Sequence, residues 1–526
     1  MASSNVILRE PAAIGSTVTL EDLYDRGDHY ALLRVALARI ADDPDDVGLA
    51  VLVCRSYIAL GLIGPAREML SAESRPLGSM PELRSLCEQI VSMPSGAIPW
   101  DELRTRFEQN VARIVERHPA LSRHEAVFRT IPDRLELYRT RDGNLLVRDR
   151  SSGVGHGWLP DFGNTREMVE RVSLPHDADA LFCDPYVVLY DRFGAMFRRV
   201  FEATRKMLLT FSPRIYVVEP DPRMFGVALY TAESVESLCH DRTSVFVGDD
   251  WSEDLGAYLR SHPERAVPGY MVDLATPDAV GRAAVEAVSR EALESRQRHA
   301  AAVVKSVRRL YDALPSGGWA RRFEAIRNGG LRLIGFTSRF TTVLQYSMRD
   351  LKAAFESRGH TFRIVTEVSD HDLVSPASHV AAVEDVHPDL ILNIDHLRSE
   401  QGDAFPKNVP FVSWLQDLLP NLTCEEAGRS IGPTDFYIAA GLTELVTRYR
   451  YPASQGMAWT MATNEAVYDS EPMPVEALAP HRCDFSYVSN QTEPPHRLHE
   501  RWLETVRDLR GGSRLLEHVY AALCES

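Results

Sequence analysis

The chain has 526 residues, 44% of them hydrophobic and 25% charged, with a formal net charge of −16. Ordinary globular composition over that length implies several domains, each with its own core, and the acidic surplus excludes broad, non-specific nucleic-acid binding. No apolar run approaches the roughly 18 residues of a membrane span, no basic-then-apolar leader opens the chain, and seven singly placed cysteines without CxxC spacing read as reduced thiols of a cytoplasmic protein with no metal site.

Residues 18–98 read as helices carrying a repeat. Gly27, in LYDRGDHYALLRVAL, stands 34 residues before Gly61, in YIALGLIGPAREML. Ala31 and Ala66 follow the two glycines, and Pro44 and Pro76 follow the second helix of each unit. That period and those residues resemble tetratricopeptide repeats, whose paired helices bury an apolar face only against a neighbour. A plain helical bundle is the alternative, and either one is a module for docking a protein acceptor or partner.

Residues 99–282 form a second block. An amphipathic helix from Trp100 to His118 opens it, and strand-like LELYRT and NLLVRD flank Gly143. Alternating strands and helices follow: YVVLY (Tyr186 to Tyr190), a DRFG turn, the helical FRRVFEATRKMLLTF, IYVVE ending in Glu219, a helix from Met224 to Cys239, and SVFVGDD ending in Gly248, Asp249 and Asp250. This is a Rossmann-like βαβαβ pattern. Glu219, 25 residues after Gly194, stands where a carboxylate accepts both hydroxyls of a nucleoside ribose. Gly194, Glu219, Gly248 and Asp249 are therefore the nucleotide-binding candidates, although the first turn holds one glycine and not GxGxxG. Glu219 also reads as an ordinary strand-end acid. The run Val217 to Asp221, with Phe225 and Val245 to Gly248, resembles the core of the bacterial motility accessory factor family. That resemblance implies a role in adding sialic-acid-like sugars to flagellin.

Residues 283–330 read as a long charged helical connector that ends at Pro315, Ser316, Gly317 and Gly318. The Ser-Gly-Gly run marks a boundary.

From Leu331 to 475 the alternation is clearest. Leu331 to Phe336 is a buried strand, and Thr337 to Thr342 a hydroxyl-rich turn. A helix begins after Val343 and is closed by Gly359. TFRIVTEV, DLILNIDHL, VPFVSWLQD and DFYIAAG are further strands, with helices at Pro376 to Val386 and Leu442 to Tyr449 and a short GMAWTMATN run. Parallel strands end along one edge, where the ligand crevice lies. Ser338, Arg339, Thr341, Thr342, Asp395, His396, Asp417, Gly441 and Asn464 are the residues that could meet there. The GFTSRF loop, Gly359–His360, HPDLIL and the ATN segment resemble the N-terminal, acceptor-side half of a GT-B glycosyltransferase of the spore-coat glycosyltransferase-like family.

Glycosyl transfer needs a base for the acceptor hydroxyl and positive or dipolar groups for the departing diphosphate. His396 and Asp417 are the candidate bases. Ser338, Arg339, Thr341, Thr342, Asp395 and Asn464 are candidates for acceptor or phosphate contacts. Asp395 and Asp417 also read as turn caps, and His396 as a structural histidine. Residues 476–526, with CDFSYVSNQ and HRLHERWLETVRDL, read as the start of a truncated GT-B C-terminal domain.

The expected architecture is multidomain α/β: N-terminal helical repeats, then two Rossmann-like parallel-sheet domains, the last in GT-B style with an incomplete C-terminal half. The expected function is glycosyl transfer from a nucleotide sugar, used as co-substrate without a tightly bound cofactor, to a protein. Two alternatives stay open: a non-catalytic scaffold with degenerate Rossmann domains, and a methyltransferase built on the middle domain around Glu219.

Overall fold

A computed structural model of the protein describes residues 18–43, 45–71, 81–152, 157–159, 162–172, 174, 184–189, 192–204, 211–233, 235–273, 279–313, 318–326, 330–341, 343–372, 374, 376–402, 405–459, 464, 495–505 and 517. The chain forms two compact units, residues 1–461 and 462–526. In the second, the expected helix is present as Pro495–Thr505, while CDFSYVSNQ lies outside the described residues.

The first unit begins with helices α1 (Leu20–Asp25), α2 (His29–Asp42), α3 (Val47–Leu60), α4 (Ile63–Ser71) and α5 (Pro81–Ile90). Their starts are capped from within: Thr19, Asp28 and Asp46 side chains accept the amides of Asp22, Ala31 and Leu49. Gly61 ends α3 at φ +85°, with Leu62 N–H bonded to Tyr57 O at 2.8 Å, a stop that needs a residue without Cβ strain. Leu32, Leu33, Ala36, Val53, Tyr57 and Ala66 form the buried seam. Pro44 and Pro76 lie outside the described residues.

Helix α6 (Trp100–Arg117) and two short helices, α7 (Glu125–Arg129) and α8 (Ile131–Arg134), lead into an antiparallel sheet. Its strands are β1 (Leu135–Arg139), β2 (Leu145–Asp149) and β3 (Trp158–Leu159). Strand alternation gives this sheet two buried faces. Leu135, Leu137 and Val147 join the core of the following α/β region, whereas Tyr138 and Leu146 join the core of the N-terminal helices. The sheet is thus a layer shared by both.

After α9 (Thr165–Arg171) comes a four-stranded parallel sheet of β4 (Tyr186–Leu189), β5 (Ile215–Glu219), β6 (Thr243–Val247) and β7 (Tyr270–Asp273). The order is β6-β5-β4-β7. Its strands are mostly apolar because helices cover both faces. Helices α10 (Ala195–Ala203) and α11 (Pro222–Thr231) pack on one face, and α12 (Trp251–Ser261) on the other. Helix α11 stops at Thr231, short of the expected Cys239. The Asn110 side chain of α6 donates to the carbonyls of Leu229 and Ala232, at 2.8 and 3.0 Å. It satisfies the helix end, and Ala232 turns extended.

The expected connector is α13 (Ala279–Asp312), and it does more than connect. Val285 and Ala292 complete the core beside α12, while Val303, Val307 and Tyr311 join the core of the next sheet. Burying each of these valines stabilises by about 1.5–3 kcal/mol, so one helix fastens two sheets. A short helix α14 (Gly318–Ala325) follows.

The last sheet of this unit has six parallel strands: β8 (Arg332–Phe336), β9 (Thr361–Val365), β10 (Leu390–Ile394), β11 (Phe411–Leu415), β12 (Asp435–Ala439) and β13 (Gly456–Ala458). They run in the order β13-β12-β11-β10-β8-β9. Helix α15 (Leu344–Glu356) covers one face through Met348, against Leu333, Leu392 and Trp414. Helix α16 (Pro376–Val386) covers the other through Val380 and Val383, against Ile334 and Ile391. Gly359 follows α15 at φ +80°, with His360 N–H bonded to Phe355 O and Gly359 N–H to Glu356 O; these are the paired bonds of a glycine-terminated helix. The order of strand addition reverses between β8 and β10, which makes that gap the topological switch point.

Among the described residues, no helix is long and apolar enough to cross a membrane.

Candidate functional site

The carboxyl edge of the six-stranded sheet gathers several of the expected residues. Asp395 is the first residue past β10. It is 1% exposed and takes φ +56°, a left-handed conformation uncommon outside glycine, asparagine and aspartate. Its Oδ1 accepts the amides of Gln416 and Asp417, at 2.7 and 3.0 Å, so it ties the end of β10 to the loop after β11. Oδ2 is buried and has no partner. Burial pushes the Asp395 carboxyl above the ordinary range, against the pull of the two amides, and the neighbouring Asp417 charge adds to the rise.

His396 follows. Its Nδ1 donates to Glu400 Oε2 at 2.6 Å. Glu400 is held in turn: its Oε1 accepts the Leu397 amide at 3.2 Å and the Asn421 side chain at 3.1 Å. The Glu400 hydrogen bond raises the His396 pKa, against burial. Burial works to raise the Glu400 pKa, but the bonds from His396 and Leu397 outweigh it and hold the carboxyl low. The imidazole is about half exposed. An imidazole bonded to a fixed carboxylate through Nδ1 has its tautomer set, leaving Nε2 for proton transfer.

Asp417, the other expected base, is exposed, and its amide rather than its carboxylate is what joins it to Asp395. Arg339 does not point at an open anion site. Its guanidinium pairs with Asp370 at 2.9 Å and reaches the Glu367 carbonyl, and its amide donates to the Glu367 carboxylate at 2.8 Å. Ser338 and Thr341 serve their own turn. Ser338 Oγ accepts the Phe340 amide, and Thr341 Oγ1 donates to Ser338 O and accepts the Gln345 amide near the start of α15. The Gln345 N–H, in the first turn of α15, is thus already taken. Gly441 precedes the helix α17 (Leu442–Tyr449) as its N-cap. Thr342 lies outside the described residues, and Asn464 belongs to the second unit.

Glu400, Asn421, Glu367 and His379 were not among the expected residues. Glu400 had a signal, its spacing of four residues from His396. His379, on α16, packs edge-on against Phe336 at 4.4 Å and bonds Gln401 at 3.1 Å; burial lowers its pKa. Asn421 and Glu367 come from other loops, and no local pattern marks them.

The middle sheet is arranged differently. Gly194 adopts φ +82° just before α10 and allows a tight turn after β4, next to Phe193 at φ +54°. Glu219, 6% exposed, has its Oε1 on the amide of Asp221 at 3.1 Å, and its carbonyl accepts the Gly248 amide. At Gly248, with φ +97°, a Cβ would lie 2.7 Å from Cε1 of His124. The open side of this glycine is thus filled by a histidine ring, whose Nε2 bonds Val247 O at 2.9 Å. Asp249 is exposed beside it.

Among the described residues, no group of three or more His, Cys, Asp or Glu side chains is placed to hold a metal ion. Comparison with protein-family models, with curated proteins and with solved structures finds no match for this chain.

Proposed function

We propose that the chain is a glycosyltransferase-like protein that moves a sugar from a nucleotide donor to a protein hydroxyl, with His396 as base. The observation that carries this reading is the 2.6 Å bond from His396 Nδ1 to a carboxylate fixed by Asn421 and the Leu397 amide. His396 Nε2 takes the proton of the acceptor hydroxyl. The hydroxyl oxygen then bonds to the anomeric carbon while the bond from that carbon to the diphosphate oxygen breaks, and the nucleoside diphosphate leaves with the electron pair. Glu400 stabilises the imidazolium that forms. The nucleotide sugar is a co-substrate, met in the cytoplasm. The acceptor, with flagellin the class suggested by the likeness of the middle domain, docks on the N-terminal helices. A groove of about 860 Å³ there is lined by Leu20, Leu23, Val35 and Leu49 together with Glu21, Arg39, Asp43 and Asp46.

The test is calorimetric titration with UDP-, GDP- and CMP-sugars, followed by a transfer assay. Wild type binds one of them, and His396→Ala loses about 10²–10⁴-fold in transfer rate. Absence of binding to every donor defeats the proposal.

One observation favours a second reading, a partner-recruiting scaffold. The carboxyl end of β6 is packed by His124 where a nucleotide-binding sheet would be open. A protein that binds no donor but retains a partner through its helices fits that reading.

A further inference from the structure

Three buried polar atoms at the carboxyl edge of the six-stranded sheet have no hydrogen-bond partner: Thr337 Oγ1, Asp395 Oδ2 and Gln416 Nε2. Each belongs to the first residue past its strand, β8, β10 and β11, and these strands are neighbours. Adjacent strands lie about 4.8 Å apart. Gln416 and Asp395 are joined directly, amide to Oδ1, at 2.7 Å. Thr337 and Asp395 flank the switch point of the sheet, where ligands of such sheets bind. Buried polar groups nearly always have partners, so three orphans at the ends of three consecutive strands point to a missing one.

The chemistry of the set selects that partner. Gln416 Nε2 only donates, Asp395 Oδ2 accepts as a carboxylate, and the Thr337 hydroxyl does both. Groups that donate and accept at one oxygen satisfy all three, and these are hydroxyls. A phosphate would meet the Asp395 carboxylate, with Asp417 close by, while Arg339 is committed to Asp370 and His396 to Glu400. We infer that Thr337, Asp395 and Gln416 form a subsite for a neutral polyhydroxylated ligand, a sugar ring. The inference rests on the proposed function for its role in transfer, but the binding itself does not require turnover.

The test is saturation-transfer NMR and calorimetry on the full chain. The probes are glucose, galactose, mannose and N-acetylglucosamine, each free and as its nucleoside diphosphate form. A sugar ring is expected to bind wild type, and to lose roughly tenfold in affinity in Thr337→Val and Gln416→Leu. Binding of a free sugar assigns the recognition to the ring itself. Binding of a nucleotide form alone, with the same losses, assigns it to the donor. Failure of every probe, or affinities unchanged in both variants, overturns the subsite and leaves the three atoms to internal water. Sugar binding without any transfer defeats the proposed function and leaves the subsite standing.

Discussion

Arg214 and Asp372 form a two-point ion pair between the sheets of the first unit, Nε to Oδ1 at 2.6 Å and Nη2 to Oδ2 at 2.7 Å, with both side chains at most 3% exposed. Arg214 precedes β5, and Asp372 lies in the loop after β9. Around them the Ser212 amide donates to Asp370 O, His371 Nδ1 bonds Ser212 O, and Phe211 meets Phe340 edge-on. The loop that holds Arg339 is therefore anchored on the middle sheet.

Removing one member of this pair leaves a buried charge. Asp372→Ala or Arg214→Ala is expected to cost about 3–5 kcal/mol in denaturant unfolding, whereas Arg214→Met with Asp372→Leu costs far less. Equal losses in the single and double variants would show that packing, not charge, holds the seam.

Stability should fall as pH drops below about 6.5, the unperturbed histidine value. Burial lowers the pKa of His118, His371 and His379. The unfolded chain protonates at these positions first, so it binds more protons through that window and is favoured as pH falls. His396 has the opposite sign. Its raised pKa gives a contribution fully present below about 6.5 and lost as pH rises through the folded value. Replacing His371 by Gln should flatten the acid limb of the unfolding midpoint against pH, whereas His396→Gln should leave that limb's slope unchanged and remove the gain in stability as pH falls towards about 6.5.

The sheets were legible because their signals are local. The apolar runs ending at Glu219 and before Asp395 are strands where expected, and Pro376–Val386 and Leu442–Tyr449 match their periodic patterns residue for residue. What escaped depends on distant partners. Asn110 ends α11 from 119 residues away, at Leu229. The second buried face of β1 and β2 exists only because helices near Tyr57 cover it. The site divides in the same way. His396 and Asp395 stand at a strand end that the pattern marks, but the commitment of Arg339 to Glu367 and Asp370 is set by a loop with no periodicity.

Glu400 positions His396 rather than touching substrate, and titration can show it. In Glu400→Gln the His396 pKa should move down, read from its ring proton shifts by NMR, because the largest cause of its rise is gone. Asn421→Ala, which loosens Glu400 without removing charge, should move it less. In a transfer assay the acid limb of the pH profile should follow the NMR value. An unmoved titration in Glu400→Gln would assign the rise to Asp395 and reduce Glu400 to a turn cap.

Gly248 tests whether the middle sheet edge is built for a ligand or for a ring. Its φ of +97° alone should make Gly248→Ala cost about 1–3 kcal/mol. The clash of a new Cβ with His124 Cε1, 2.7 Å away, adds roughly another 1–3 kcal/mol. In a His124→Ala background the second cost disappears and the first stays, so a double-mutant cycle should show coupling of roughly 1–3 kcal/mol. Strict additivity would mean that the ring moves aside freely. The glycine would then leave room for something other than His124, and the nucleotide reading of Glu219 and Gly248 would regain its footing.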